Sequence, residues 1–132
     1  MLNLQGTSGG EERKFDLEER LVAYACMMMS VVAALPNDRI GNYYAGQLVR
    51  SANSPAFNYA EAQAAESRPD FIHKMKVCLK ELKECRTTLE IINKLRLIVA
   101  FSLEPHRKET NELISIFGRS IETAKRNARK QT

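Results

Sequence analysis

A chain of 132 residues is the size of one domain with room for a substantial core. Pro and Gly are scarce while Ala, Leu, Glu, Lys and Arg dominate, which favours helix throughout and leaves no linker, repeat or low-complexity segment to divide the folded part. The net charge of +4 is uneven: residues 1–66 hold five Lys/Arg against eight Asp/Glu, residues 67–132 fifteen against eight. A basic second half points to an anionic partner such as RNA, DNA or an acidic protein face, against the plain reading of a solvated helical surface.

Residues 1–14 lack apolar periodicity and contain Gly6, Gly9 and Gly10, which predicts a mobile arm ahead of a folded part over 15–132. The opening MLNLQGTSGG has no basic segment before an apolar core, so no signal peptide is expected. Asp16 offers a helix cap with Glu19 three residues later, and Glu18 and Glu19 suit the positive end of the helix dipole. From Leu21 to Asn37 the sequence LVAYACMMMSVVAALPN carries no charge. A membrane span needs about 20 strongly apolar residues; this run is shorter, ends at Pro36 and is diluted by Ala, Ser and Cys. It reads instead as a helix over 16–35 that is buried around most of its circumference, its missing polar stripe facing another subunit. Met27, Met28 and Met29 point in three directions around it, which fits an interface better than a cofactor site.

Pro36-Asn37-Asp38 makes a turn, and Asn37 or Asp38 caps a second helix over 38–66. Its seam, Gly41, Ala45, Leu48, Ala52, Pro55, Tyr59 and Ala62, is mostly small and admits a close neighbour. Pro55 cannot donate to the carbonyl of Ser51, so a kink is expected there, with Ser51 and Ser54 serving local groups; a break into two helices is the alternative.

Ser67-Arg68-Pro69-Asp70 starts a third helix over 70–98, with Ser67 as cap and Pro69 in the first turn. Phe71, Met75, Cys78, Leu82, Cys85, Leu89 and Ile92 recur at alternating steps of four and three, one apolar seam facing other helices. Lys74, Lys76, Lys80, Lys83, Arg86 and Lys94 fall off that seam, interleaved with Glu81, Glu84 and Glu90, so the outer face should be solvated and mostly basic. Cys78 and Cys85 lie about 10 Å apart along the helix axis, too far to bridge. With Cys26 they read as packed thiols in a reducing cytoplasm. Ser102 and Pro105 mark a stop and a start. A fourth helix over 105–129 turns Leu113, Phe117, Ser120 or Ile121, and Ala124 inward and ends in the basic cluster Lys125, Arg126, Arg129 and Lys130. Short connections make the fold all-α, an antiparallel up-down-up-down four-helix bundle.

Chemistry-bearing patterns are sparse. A di-iron bundle needs paired Glu-x-x-His motifs, and the nearest spacing, Asp70 to His73, is single, while His106 has no carboxylate three residues before it. No P-loop, dinucleotide glycine fingerprint or zinc-finger cysteine spacing occurs. The expectation is therefore no enzyme, no cofactor and no metal.

Three segments carry a resemblance: FDLEERLVAYA (Phe15 to Ala25), QLVRSANSPAFNYAEA (Gln47 to Ala62), and the run from Asn58 to Glu84 with its NYAEA, ESRPDFIHK and LKELKE pieces. They resemble the bacterial four-helix-bundle proteins encoded in intervening sequences of 23S ribosomal RNA genes, over roughly residues 15–128. That superfamily also includes a basic accessory protein of diversity-generating retroelements. The resemblance implies a ring-shaped homopentamer and no enzymatic activity. Two functional readings remain. One is a nucleic-acid-binding or RNA-protein accessory module, weak and without sequence preference, using Lys74, Lys76, Lys80, Lys83, Arg86, Lys125, Arg126, Arg129 and Lys130 on phosphates. Tyr43, Tyr44, Phe57 and Tyr59 are candidates to stack bases, although core or interface packing is the preferred reading for them. The other is an assembly scaffold whose basic face meets an acidic protein.

Overall fold

Helices account for all the regular structure among the described residues, 9–130, of this computed structural model, with side chains described from residue 17. They are α1 (Gly9–Ala34), α2 (Arg39–Gln63), α3 (Arg68–Leu95) and α4 (Glu104–Lys130). The connections are short, so sequence neighbours pack antiparallel, α1 on α2, α2 on α3 and α3 on α4, as the four-helix reading requires. No helix among the described residues is long and apolar enough to cross a membrane.

Each boundary has a local cause. Asp16 lies inside α1 rather than at its start, because the segment from Glu11 to Phe15 contains no residue that breaks a helix. Residues 1–8 of the expected arm lie outside the described residues, and the backbone is helical from Gly9. Asp38 caps α2, its carboxylate accepting from the Gly41 amide at 2.8 Å. Gly41 has no substitute in this corner: a Cβ there would meet the Pro36 carbonyl oxygen at 1.9 Å. Ser67 caps α3 by accepting from the Asp70 amide at 3.2 Å, with Pro69 in the first turn. The third helix stops at Leu95, three residues before the predicted end. There Arg96 adopts a left-handed conformation (φ 55°, ψ 44°), and the amides of Arg96 and Leu97 return to the carbonyls of Asn93 and Ile92. This is a Schellman stop without glycine, invisible to a search for Gly. Its left-handed residue costs roughly 1–2 kcal/mol.

α2 runs through Pro55 unbroken, as the kink reading expected of a single helix. Ser51 Oγ donates to the Gln47 carbonyl at 2.8 Å, and Asn58 donates to the carbonyl and hydroxyl of Ser54. α3 supplies the rest: the Cys78 thiol donates to the Pro55 carbonyl and the Cys85 thiol to Ser51 Oγ.

The predicted seams lie inward. Met75, Cys78, Leu82, Cys85, Leu89 and Ile92 of α3 are buried against Leu48, Ala52, Tyr59 and Ala62 of α2 and Leu113, Phe117 and Ile121 of α4. Phe71 and Ala45 are only half-buried, and Ile121 rather than Ser120 takes the inner position. Within one chain α1 buries a single face, Leu21, Tyr24, Met28 and Val31, while Val22 and Cys26 are exposed. Cys26 is thus not a packed thiol, unlike Cys78 and Cys85. Of the methionine run, Met28 is fully buried in its own bundle, and Met27 and Met29 are half-buried.

A polar layer crosses the core between α1 and α4. Tyr24 Oη and Thr110 Oγ1 are 2.7 Å apart, and the Thr110 hydroxyl donates to the His106 carbonyl, so the phenol must donate to Thr110. Ser30 Oγ spends its proton on the Met27 carbonyl, which leaves it an acceptor for His106 Nε2 at 3.4 Å. His106 Nδ1 is then a buried acceptor without a partner among the described residues. Burial holds the His106 pKa below its ordinary 6.5.

Two outcomes are expected. Leu82→Ala, at a fully buried position, should lower unfolding free energy by about 2–5 kcal/mol, while Lys80→Ala on the outer face stays within about 0.5 kcal/mol; denaturant melts compare them. For His106, the unfolded chain takes up a proton more readily than the folded one. Its stability contribution is full above the unfolded pKa near 6.5 and falls away as pH drops toward the lower folded value. Thermal melts at pH 7.5 and 5 should show a smaller acid loss for His106→Leu than for the parent.

Candidate nucleic-acid interface

The helical spacing of α3 puts its basic residues on the side away from the seam, but not all of them stay free. Lys74, half-buried, donates to Glu61 Oε1 at 2.6 Å, and that carboxylate pushes the ammonium pKa up. Arg86 donates to Asn111 Oδ1 of α4 at 3.4 Å. Lys76, Lys80, Lys83 and Lys94 are exposed on the outer stripe, which extends about 27 Å at 1.5 Å per residue.

The interleaved carboxylates turn elsewhere. Glu81, expected on the solvated face, is buried at 6% exposure. At this position the helix surface turns toward α2, where Arg50 donates to Glu81 Oε1 at 2.9 Å and to Glu84 Oε1 at 2.6 Å. Glu90 leans the other way and pairs with Arg107 of α4. The outer stripe is therefore more uniformly basic than the linear order of residues predicts.

The fourth-helix cluster sits at one end of the bundle. Lys125 is half-buried there, and Arg126, Arg129 and Lys130 are exposed. α4 runs antiparallel to α3, so this end also holds the start of α3. A groove of about 900 Å³ there is lined by Ser67, Arg68 and Phe71 on one side and Arg119, Thr123 and Asn127 on the other. Sequence periodicity did not single out Arg68 and Arg119, because their juxtaposition depends on the α3–α4 pairing.

The aromatic candidates separate. Tyr59 is buried, edge-on to Phe117 at 6.0 Å, and has no face left for a base. Phe57 is 70% exposed on α2. Tyr43 is 59% exposed and packs edge-on against half-buried Tyr44 with ring centroids 5.0 Å apart. Gln47 Nε2 donates to Tyr43 Oη at 3.1 Å. Both tyrosines line a groove of about 480 Å³ between α2 and α3, whose other wall carries Lys80, Lys83, Thr87 and Ile91.

Nucleophile chemistry has little footing at the buried thiols. Desolvation pushes Cys78 up to about 12 and raises Cys85, so both stay protonated at neutral pH. His73 is exposed, and among the described residues no group of three His, Cys, Asp or Glu side chains converges to hold a metal.

Removing Arg50 should expose the logic of the stripe. Arg50→Ala leaves Glu81 buried without its ion-pair partner and should cost about 1–3 kcal/mol. Adding Glu81→Gln should return part of that loss. A double-mutant cycle by denaturant melts measures it.

The family described as 23S rRNA-intervening sequence protein matches residues 14–119. No curated protein matches the chain. A crystal structure of a protein of unknown function from the S23 ribosomal protein family of Bacteroides thetaiotaomicron VPI-5482 is similar, with a TM-score of 0.72 and 26% identity, covering 79% of this chain and 96% of that one. The profile match over most of the chain, on four antiparallel helices of this shape, makes the chain a member of the 23S rRNA-intervening sequence protein family.

Proposed function

We propose that the protein is a non-enzymatic oligomeric bundle of the cytoplasm that binds nucleic acid weakly and without sequence preference. The observation that carries this reading is the pairing of Glu81, Glu84 and Glu90 with Arg50 and Arg107, while Lys76, Lys80, Lys83 and Lys94 stay exposed along the outer stripe. Lysines on a solvated helix face suit phosphates, whose contacts position a ligand without reading bases. The end of α4 extends the same field. The family description links such proteins to ribosomal RNA genes, which favours the same reading.

An oligomer would present several such faces at once. Its support is α1, whose uncharged run leaves Val22 at 53% exposure beside exposed Cys26 and half-buried Met29. A second copy of the chain is the occupant we favour, and the family resemblance favours five copies in a ring. Repeated patches convert modest single-site attraction into avidity when one ligand spans them. An assembly scaffold whose basic face binds an acidic protein is the reading that stands if nucleic acid is not bound.

Replacing Lys125, Arg126, Arg129 and Lys130 together by Gln should weaken binding equally across unrelated sequences. The slope of log affinity against log salt should flatten by about one for each phosphate that is no longer neutralised. Fluorescence anisotropy over a salt series measures both. In sedimentation at micromolar concentration the parent should be larger than a monomer, and Val22→Arg should shift it toward monomer, because an unpaired charge buried at an interface is costly. A parent that sediments as a monomer would refute the oligomer.

A further inference from the structure

We propose that the groove between α2 and α3 binds single-stranded nucleic acid, with an unpaired base stacked on Tyr43 and flanking phosphates held by Lys80 and Lys83. This inference rests on the nucleic-acid reading above and names the class of ligand and the residues that select it. The groove joins two features that no single helix provides. α2 presents a tyrosine ring 59% exposed, and α3 presents two lysines one helical turn apart on the same groove wall.

The ring is held before any ligand arrives. Gln47 Nε2 donates to Tyr43 Oη at 3.1 Å, and Tyr44 packs against the ring in a T-shaped pair with centroids 5.0 Å apart. A preset aromatic face loses little freedom when a base settles on it. The one carboxylate in the groove wall is Glu84, and Arg50 engages it at 2.6 Å, so its charge is answered from outside the groove. The local field that reaches the solvent is that of Lys80 and Lys83, both exposed.

This combination discriminates among polyanions. An intact duplex keeps its bases stacked inside and has no free π-face to place on Tyr43. Single strands do, and base–aromatic stacking beside a basic groove is tolerant of sequence because every base has such a face. An acidic peptide would satisfy the lysines and leave the ring unused. RNA and DNA share the required chemistry; oligouridylate and oligothymidylate differ by the 2′-hydroxyl and the thymine C5 methyl.

The test uses the full chain and fluorescently labelled oligouridylate, oligothymidylate and a duplex of equal length at low salt, read by anisotropy. Tyr43→Leu should lose about 5- to 150-fold in affinity for both single strands, the effect of one stacked base, with little change for the duplex. Tyr43→Phe should retain single-strand binding. The pair Lys80→Gln and Lys83→Gln should weaken every ligand and flatten the salt slope by as much as about two. If Tyr43→Leu is silent while the lysine pair still weakens binding, the stacking site is wrong and the general phosphate reading stands. Equal losses for strand and duplex also overturn it, as does polyglutamate competing as well as oligouridylate. A changed sedimentation coefficient in Tyr43→Leu would assign the ring to a contact between copies instead. No binding by the parent protein to any of the nucleic acids would overturn both readings together.

Discussion

Arg50 is the sole basic residue between Arg39 and Arg68, and its guanidinium reaches across from α2 to take both Glu81 and Glu84 of α3. The pairing answers a constraint set by helical geometry. α3 must turn a broad face to two neighbours, and position 81 falls on the α2 side, where water is largely excluded. A carboxylate there without a partner would be expensive, and a bidentate-capable guanidinium is well suited to supply one. Because Arg50 itself remains half-exposed, the pair is not a dry buried bridge with its large desolvation penalty. Its larger effect lies on the opposite side of α3. With two carboxylates drawn to α2 and Glu90 drawn to Arg107, the solvent-facing stripe is dominated by the exposed Lys76, Lys80, Lys83 and Lys94.

The opposite side of the bundle is held differently. α1 meets α4 through Arg20, which donates to both carboxylate oxygens of Glu109 and to Glu112. These pairs raise the Arg20 pKa, led by the Glu109 hydrogen bond, and fix the register of two helices that share little else. Below them the Tyr24–Thr110–His106 layer replaces apolar packing with directed hydrogen bonds. Burial raises the Tyr24 pKa, so the phenol remains a donor and the layer keeps its polarity. A layer of this kind penalises sliding of α1 along α4, since a shifted register leaves buried polar groups unpaired.

Much of the fold was legible from short-range signals. The seams of α2 and α3 follow from a repeat of apolar residues, and nearly every residue named on them is buried. Asp38 and Ser67 act as caps because cap geometry depends on a few adjacent residues. The end of α3 was harder, since Arg96 takes the left-handed position that sequence reading reserves for glycine. The start of α1 was missed because a favourable cap residue at Asp16 does not stop helix from continuing before it. Site residues divide in the same way. The sequence marks which side of α3 is basic, yet it does not show that Lys74 is tied to Glu61 or Arg86 directed to Asn111.

Composition and periodicity alone determined that the chain is helical, which faces of α2, α3 and α4 turn inward, and that the basic charge gathers on α3 and the end of α4. These properties depend on residues within one or two turns of each other, where backbone geometry dictates who meets whom. Tertiary structure decided the rest: that Glu81 is buried and answered by Arg50, that Met28 belongs to its own core, and that Tyr59 is enclosed while Tyr43 stands beside Lys80 and Lys83. Each of these depends on the rotation and register of one helix against another. Those are set by the summed packing of whole faces, and no local stretch of sequence contains them.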